Sequence, residues 1–327
     1  MKLFNMDLHI SVIADFKNLF PELEITDWCM SGHAWVMGRD QTWPNHINPA
    51  TWTNIDEAMI TAFHQEYDGL LNQFDGFICG HPNGFIPIFE KYGKPIIMIN
   101  SCRYDLPFCW SRNTVMLQSY KDCLWRLEKR GLLIAVSNNK VDQLYTRLGC
   151  GIETIHIPSL CAYTGMKYTP TKPTFLCYHG DFPSHPLITE KATLGEPFDW
   201  SDIAQFRGII HLPYEVSTMS MFEHFSAGIP LFFPSKEYML ENVIVSTVKT
   251  YWGTDLPEEL AEFRDPANWM GLADYYEVFQ SPNVYLYDSF EHLVEILEQF
   301  EWKDDAAVLE AYRTNIRSEW VKLLGRY

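Results

Sequence analysis

Short apolar runs alternate with longer amphipathic stretches through the first half of the chain, a rhythm that predicts a parallel β-sheet covered by helices. Residues 2–5 predict a first strand and 10–20 a helix ended by Pro21. A strand over 24–28, a Trp-rich loop and a helix over 55–71 follow. The runs at 74–79, 95–100 and 132–136 are almost unbroken in apolar character and predict buried strands. Each passes at once into turn-forming or polar residues: Gly80-His81-Pro82-Asn83-Gly84, Ser101-Cys102-Arg103-Tyr104-Asp105 and Ser137-Asn138-Asn139. In an open α/β sheet ligands bind beyond the carboxyl ends of the strands, so these loops are expected to converge on one crevice.

Near residue 160 the texture changes. Residues 154–158 predict a short strand running into Pro158, and 163–173 collect Thr, Gly, Lys and two Pro without apolar periodicity, the best linker in the chain. A second α/β unit then begins, with strands expected at 174–178, 208–212 and 231–233. Over 305–324, Leu309, Tyr312, Ile316, Trp320 and Leu323 share one helical face, so the chain is expected to close on an amphipathic helix. The expected division is an N-terminal domain over 1–165, a C-terminal domain over 170–304 and a helix over 305–327. Two domains also suit a length of 327 residues.

Composition narrows the partners. Lys+Arg number 25 against 42 Asp+Glu, a net charge of -17, and no local basic patch offsets it, which argues against nucleic acid and anionic lipid surfaces. The eight cysteines include no C-x-x-C pair, and several sit in apolar runs, as buried thiols do. The N-terminus lacks an apolar signal core and no run is long enough to span a bilayer, so a soluble, cytoplasmic protein without membrane insertion is expected. Aromatic residues make up 15%, which serves cores and sugar stacking alike.

The stretch 208–235, GIIHLPYEVSTMSMFEHFSAGIPLFFPS, carries the most chemistry and reads as strand, turn, helix, Gly-Ile-Pro turn and strand. Glu215 and Glu223 stand eight apart with Ser217, Thr218 and Ser220 between them. If both were helical they would lie on similar faces about 12 Å apart. A helix N-terminus beside small hydroxyl residues is a ready diphosphate site. The plain alternative for the two glutamates is a solvated helix face.

Glu215, Glu223, His224, Ser226, Gly228, Ile229 and Pro230 resemble the E-x7-E signature and following turn of GT-B-fold glycosyltransferases; Ala135-Val136-Ser137 and Ile155-His156-Ile157-Pro158 resemble that family's signals at the end of its first domain. The resemblance implies an α/β fold of two Rossmann-like domains facing a cleft, with a C-terminal helix packing back on the N-terminal domain. It implies that Glu215 contacts a donor sugar, Glu223 the ribose, and Ser217 and Thr218 the phosphates. Many retaining members also carry Arg and Lys after the first strand of the second domain. This chain has Tyr178-His179-Gly180-Asp181-Phe182-Pro183-Ser184-His185 there, leaving His179, His185, Lys172 or Arg207 as substitutes.

On the first-domain side, Asp7 and His9 follow the first strand as a base-and-orienter pair, or else Asp7 caps the next helix. His81 joins them as a catalytic candidate, while His33, Arg103, Asp105 and Trp35 are candidates for acceptor binding. Trp43 and Trp52 share the loop-rich region suited to sugar stacking. No D-x-D pattern, Walker loop, G-x-S-x-G elbow or H-E-x-x-H helix occurs, and no metal or other cofactor is expected. The expected activity is metal-independent transfer of a sugar from a nucleotide-diphosphate sugar, UDP ahead of GDP on frequency, to a hydroxyl of a glycan acceptor. The alternatives are a nucleotide-sugar epimerase or hydrolase on the same scaffold and a non-catalytic carbohydrate-binding protein.

Overall fold

Helix starts along the chain are set by polar caps. The side chains of Asp56, Asn113, Asn139 and Ser289 accept from the amides of Met59, Met116, Asp142 and His292, satisfying donors that a helix leaves open. Between these helices run the strands of a computed structural model that describes residues 1–38, 40–179, 182–195, 198–242 and 258–325. By contact density the chain divides into Met1–Ile157 and Pro158–Gly325.

The first unit contains strands β1 (Lys2–Asp7), β2 (Glu24–Cys29), β3 (Gly76–Cys79), β4 (Ile96–Asn100), β5 (Leu133–Ser137) and β6 (Ile155–His156). They form one parallel sheet in the order β2-β1-β3-β4-β5-β6. Every residue of β3 and β4 is buried, as their unbroken apolar runs predict, whereas β2, on the edge, is only partly covered. Phe4 and Phe77 pack on Phe89 with ring centroids 6.0 and 4.5 Å away.

The second unit contains β7 (Phe175–His179), β8 (Ile188–Glu190), β9 (Ile209–His211), β10 (Leu231–Pro234) and β11 (Val284–Tyr287), parallel in the order β11-β10-β9-β7-β8. Phe175, Ile210, Phe232, Tyr287, Leu293, Leu297 and Phe300 form its core on one side of the sheet. Both sheets wind alike: the first strand is flanked by the second on one side and the third on the other. Chain order therefore reverses at β1/β3 and again at β7/β9, the places where open α/β sheets bind ligands.

Strand β8 is not foreshadowed by a hydrophobic run, because it is a three-residue edge strand, Ile-Thr-Glu, with partly exposed side chains, whereas β11, also on an edge, is the apolar run Val-Tyr-Leu-Tyr that the strand expectations for the second unit did not include. The stretch read as a linker is bonded into the second unit, where the amides of Thr169 and Thr171 donate to the carbonyls of Ala204 and Gln205. The closing helix, Ala306–Leu324, likewise bonds within that unit, through Tyr312 Oη to the Ser159 carbonyl and Arg313 Nη2 to the Ser226 carbonyl. Among the described residues no helix is long and apolar enough to cross a membrane, and all eight cysteines are free thiols.

Candidate functional sites

Asp7 is the last residue of β1 rather than part of a loop, and its side chain is 0% exposed. Asn5, two residues earlier on the same face of the strand, donates from Nδ2 to Asp7 Oδ2 at 2.9 Å, and the Cys29 thiol and the His9 amide also bond the carboxyl. Burial outweighs these bonds and raises the Asp7 pKa from 3.8 to about 7. The capping alternative fails: the N-cap of the Ile10–Leu19 helix is His9, and no side chain caps it.

β1 and β3 are neighbours, so His81, after β3, meets the same switch point. Its carbonyl accepts from the Leu8 amide at 2.6 Å and its ring lies 5.8 Å from that of His9, edge to face. The His81–Pro82 peptide is cis. Gly80 permits this approach, since a Cβ there would lie 2.8 Å from Val12 Cγ1. His81 Nδ1 sits 3.0 Å from Cys102 Sγ, a partner that sequence order does not reveal. Burial lowers the His81 pKa to about 3, leaving a neutral ring at physiological pH. His9 keeps an exposed face in this crowded recess, and desolvation together with nearby His33 holds it below the ordinary histidine value. Asp7, His9, His33 and His81 thus share one carboxyl-edge recess.

Arg103 and Asp105 do not reach toward solvent. They are buried against each other, with Arg103 Nη2 donating to Asp105 Oδ2 at 2.8 Å and Nε to Oδ1 at 3.0 Å, and Tyr145 Oη donates to the same Asp105 carboxylate at 3.1 Å. This pair braces the connection after β4. The side chains of Trp35 and His179 lie outside the described residues.

In the second unit Glu215 is half-buried and lies before the helix, which runs only over Met219–Ser226 with Thr218 at its N-cap. The two glutamates are therefore not on one helical face, and the axial spacing expected of a continuous helix does not apply. The Asp274 amide donates to the Val216 carbonyl at 3.0 Å and fixes the loop between them. Thr218 makes no capping bond to the helix; its hydroxyl lies 3.2 Å from that of Ser220.

Glu223, one turn into the helix, is 8% exposed, and burial raises its pKa, opposed by a hydrogen bond from Tyr163 Oη and the charge of Lys191. Around it stand side chains that sequence reasoning missed. Lys191, directly after β8, holds its ammonium 3.9 Å from the centre of the Tyr178 ring and 5.1 Å from that of Phe198. Tyr163 packs edge-on to Trp200 at 6.0 Å, and Tyr178 packs on His224 at 4.8 Å. The only sequence signal for Lys191 was a cation following an unrecognised edge strand. Arg207 and His185 lie elsewhere. Arg207 precedes β9, donates to the Phe300 carbonyl at 3.0 Å and stacks on Phe175, which opens β7. His185 precedes β8 and accepts from the Leu187 amide at 3.3 Å. Arg207 is thus at the amino edge of the sheet, while the His185 ring packs edge-on to Phe290 at 6.3 Å. Among the described residues no group of three or more His, Cys, Asp or Glu is arranged to hold a metal.

No family model matches the chain and no curated protein does. Among solved structures it is similar to a glycosyltransferase of kitacinnamycin (10% identity, TM-score 0.43, covering 98% of this chain and 95% of that one). It is also similar to the spinosyn forosaminyltransferase SpnP (12%, 0.41, 98% and 94%) and to the glycosyltransferase SnogD from Streptomyces nogalater (10%, 0.39, 98% and 95%). Likeness this low carries no argument about activity.

Proposed function

We propose that the protein is a glycosyltransferase of the GT-B type, taking a sugar from a nucleotide-diphosphate donor, UDP before GDP, to an acceptor hydroxyl without a metal. One observation carries the reading: Glu223 is a buried carboxylate at the β7/β9 switch point, ringed by Tyr163, Tyr178 and Lys191 beside an uncapped helix N-terminus. A carboxylate with aromatic neighbours suits a nucleoside, whose ribose hydroxyls would take the place of the Tyr163 phenol. Lys191 and the amides opening the Met219–Ser226 helix suit the diphosphate, supplying the positive charge that the absent Arg and Lys supply elsewhere. Glu215, ahead of the helix, faces the sugar in this reading.

The acceptor belongs to the first unit. Its hydroxyl attacks the anomeric carbon, the bond from that carbon to the diphosphate breaks, the diphosphate leaves with the electron pair, and His9 takes the hydroxyl proton. His9 suits this role because its depressed pKa keeps it neutral. Asp7 holds the His9 amide and so fixes where the ring starts.

Isothermal calorimetry with UDP and GDP tests the donor site. Glu223→Gln keeps the volume and removes the charge, and is expected to weaken nucleotide binding at least about tenfold, the scale of a lost charge-assisted hydrogen bond. Unchanged affinity would remove Glu223 from the site.

A further inference from the structure

The contact between His81 and Cys102 follows from strand order. His81 comes after β3 and Cys102 after β4, and these parallel neighbours bring the two connections side by side at the carboxyl edge of the first unit. His81 Nδ1 lies 3.0 Å from Cys102 Sγ, and a second acceptor for the thiol, the Arg103 carbonyl, is 3.7 Å away. Both side chains are half-buried. The other ring nitrogen of His81, Nε2, has no hydrogen-bond partner among the described residues.

A neutral imidazole carries one N–H, and the bond made by one nitrogen settles what the other offers. Two arrangements fit this pair. In the first the thiol donates to Nδ1, and the ring hydrogen stands on Nε2. In the second Nδ1–H points at the sulfur, and the thiol turns to the Arg103 carbonyl. The first joins the thiol to its nearer acceptor, a nitrogen lone pair. The second spends the ring's single hydrogen on sulfur, a weak acceptor, and leaves the thiol with the longer contact. A thiolate beside an imidazolium would instead make Cys102 a nucleophile. The burial that holds the His81 ring neutral opposes that charge separation.

We infer that Cys102 is a positioning residue: its thiol holds His81 in the tautomer whose Nε2–H is open to a ligand as a hydrogen-bond donor. The His9 ring, 5.8 Å away and neutral as well, always keeps one nitrogen lone pair. A donor and an acceptor this close suit an alcohol, whose hydroxyl both gives and takes a hydrogen bond, better than a carboxylate or phosphate, which only accepts. That use of the two rings rests on the glycosyltransferase reading; the tautomer does not.

The intact protein, labelled with nitrogen-15 histidine, is read at pH 7.5 by proton–nitrogen correlation across the imidazole rings, and the His81 signals are those absent from His81→Gln. The parent is expected to show a protonated Nε2 and a bare Nδ1. Cys102→Ser, whose hydroxyl still donates, is expected to keep that pattern, and Cys102→Ala to move both nitrogens toward the averaged position of two exchanging tautomers. A protonated Nδ1 in the parent, or a Cys102→Ala spectrum with the parent's tautomer unchanged, would overturn the assignment; the parent spectrum decides by itself if Cys102→Ala does not fold. UDP calorimetry on the same samples separates the two readings. UDP binding with the hydrogen on Nδ1 removes the role of Cys102 and leaves the donor site, whereas an Nε2–H that depends on Cys102 without UDP binding leaves the tautomer and removes the glycosyltransferase.

Discussion

Asp7 carries a conflict between solvation and pairing that a pH titration can read. Its pKa is about 7 in the folded protein against 3.8 in an unstructured chain, so the native state holds the proton more tightly than the unfolded state between those values. For an acid raised in this way, stability is full at low pH and falls as pH climbs through the window. The span corresponds to roughly 4 kcal/mol at its upper limit. Asp7→Asn keeps the Asn5 bond within reach and removes the titration. Urea unfolding between pH 4 and 7.5 is expected to show the variant gaining on the parent as pH rises, and a constant difference across that range would show that Asp7 is not the group. At this scale the sequence was informative where chemistry follows a strand: Asp7, His9 and His81 were legible because each trails an apolar run. Cys29, Cys102, Lys191 and Tyr163 were not, because each reaches its partner only through strand order or a tertiary hydrogen bond.

Elements differ in how openly they announce themselves. Buried central strands such as β3 and β4 write their position as unbroken apolar residues, while the edge strand β8, Ile-Thr-Glu, gains its strand form from one neighbour and leaves little trace. The helix over 219–226 was expected from its pattern, but its true start was hidden, since residues 215–218 carry the same small polar types as a cap without acting as one. That difference is measurable. Ser235 does cap its helix, accepting from the Tyr238 amide at 3.2 Å, and Ser235→Ala is expected to lose about 1 kcal/mol. Thr218→Ala is expected to stay within ~0.5 kcal/mol of the parent in the same urea series. Equal losses would mean that Thr218 is a structural cap and not a residue kept for a ligand.

The whole chain holds two units, each with its own sheet and its own switch point. Unfolding of such a chain is not expected to be two-state. Differential scanning calorimetry should resolve two transitions, and UDP at a hundredfold excess over its dissociation constant should stabilise one of them by ~2.7 kcal/mol, leaving the other in place. A shift of both by the same amount would contradict a donor site confined to the second unit. The two sheets share one winding, and this bears on how the molecule is made. In each, a strand that ends up flanked on both sides emerges first, yet its second flank comes from the third strand: Leu3 pairs with Gly76, and Leu176 with Ile209. At ~5–20 residues per second of synthesis, β1 waits several seconds for β3, with Phe4 and Met6 uncovered in the interval. The earlier half is thus the slower to close on the ribosome, and Asp7, among the first residues made, stays open on its β3 side until Cys79 has emerged.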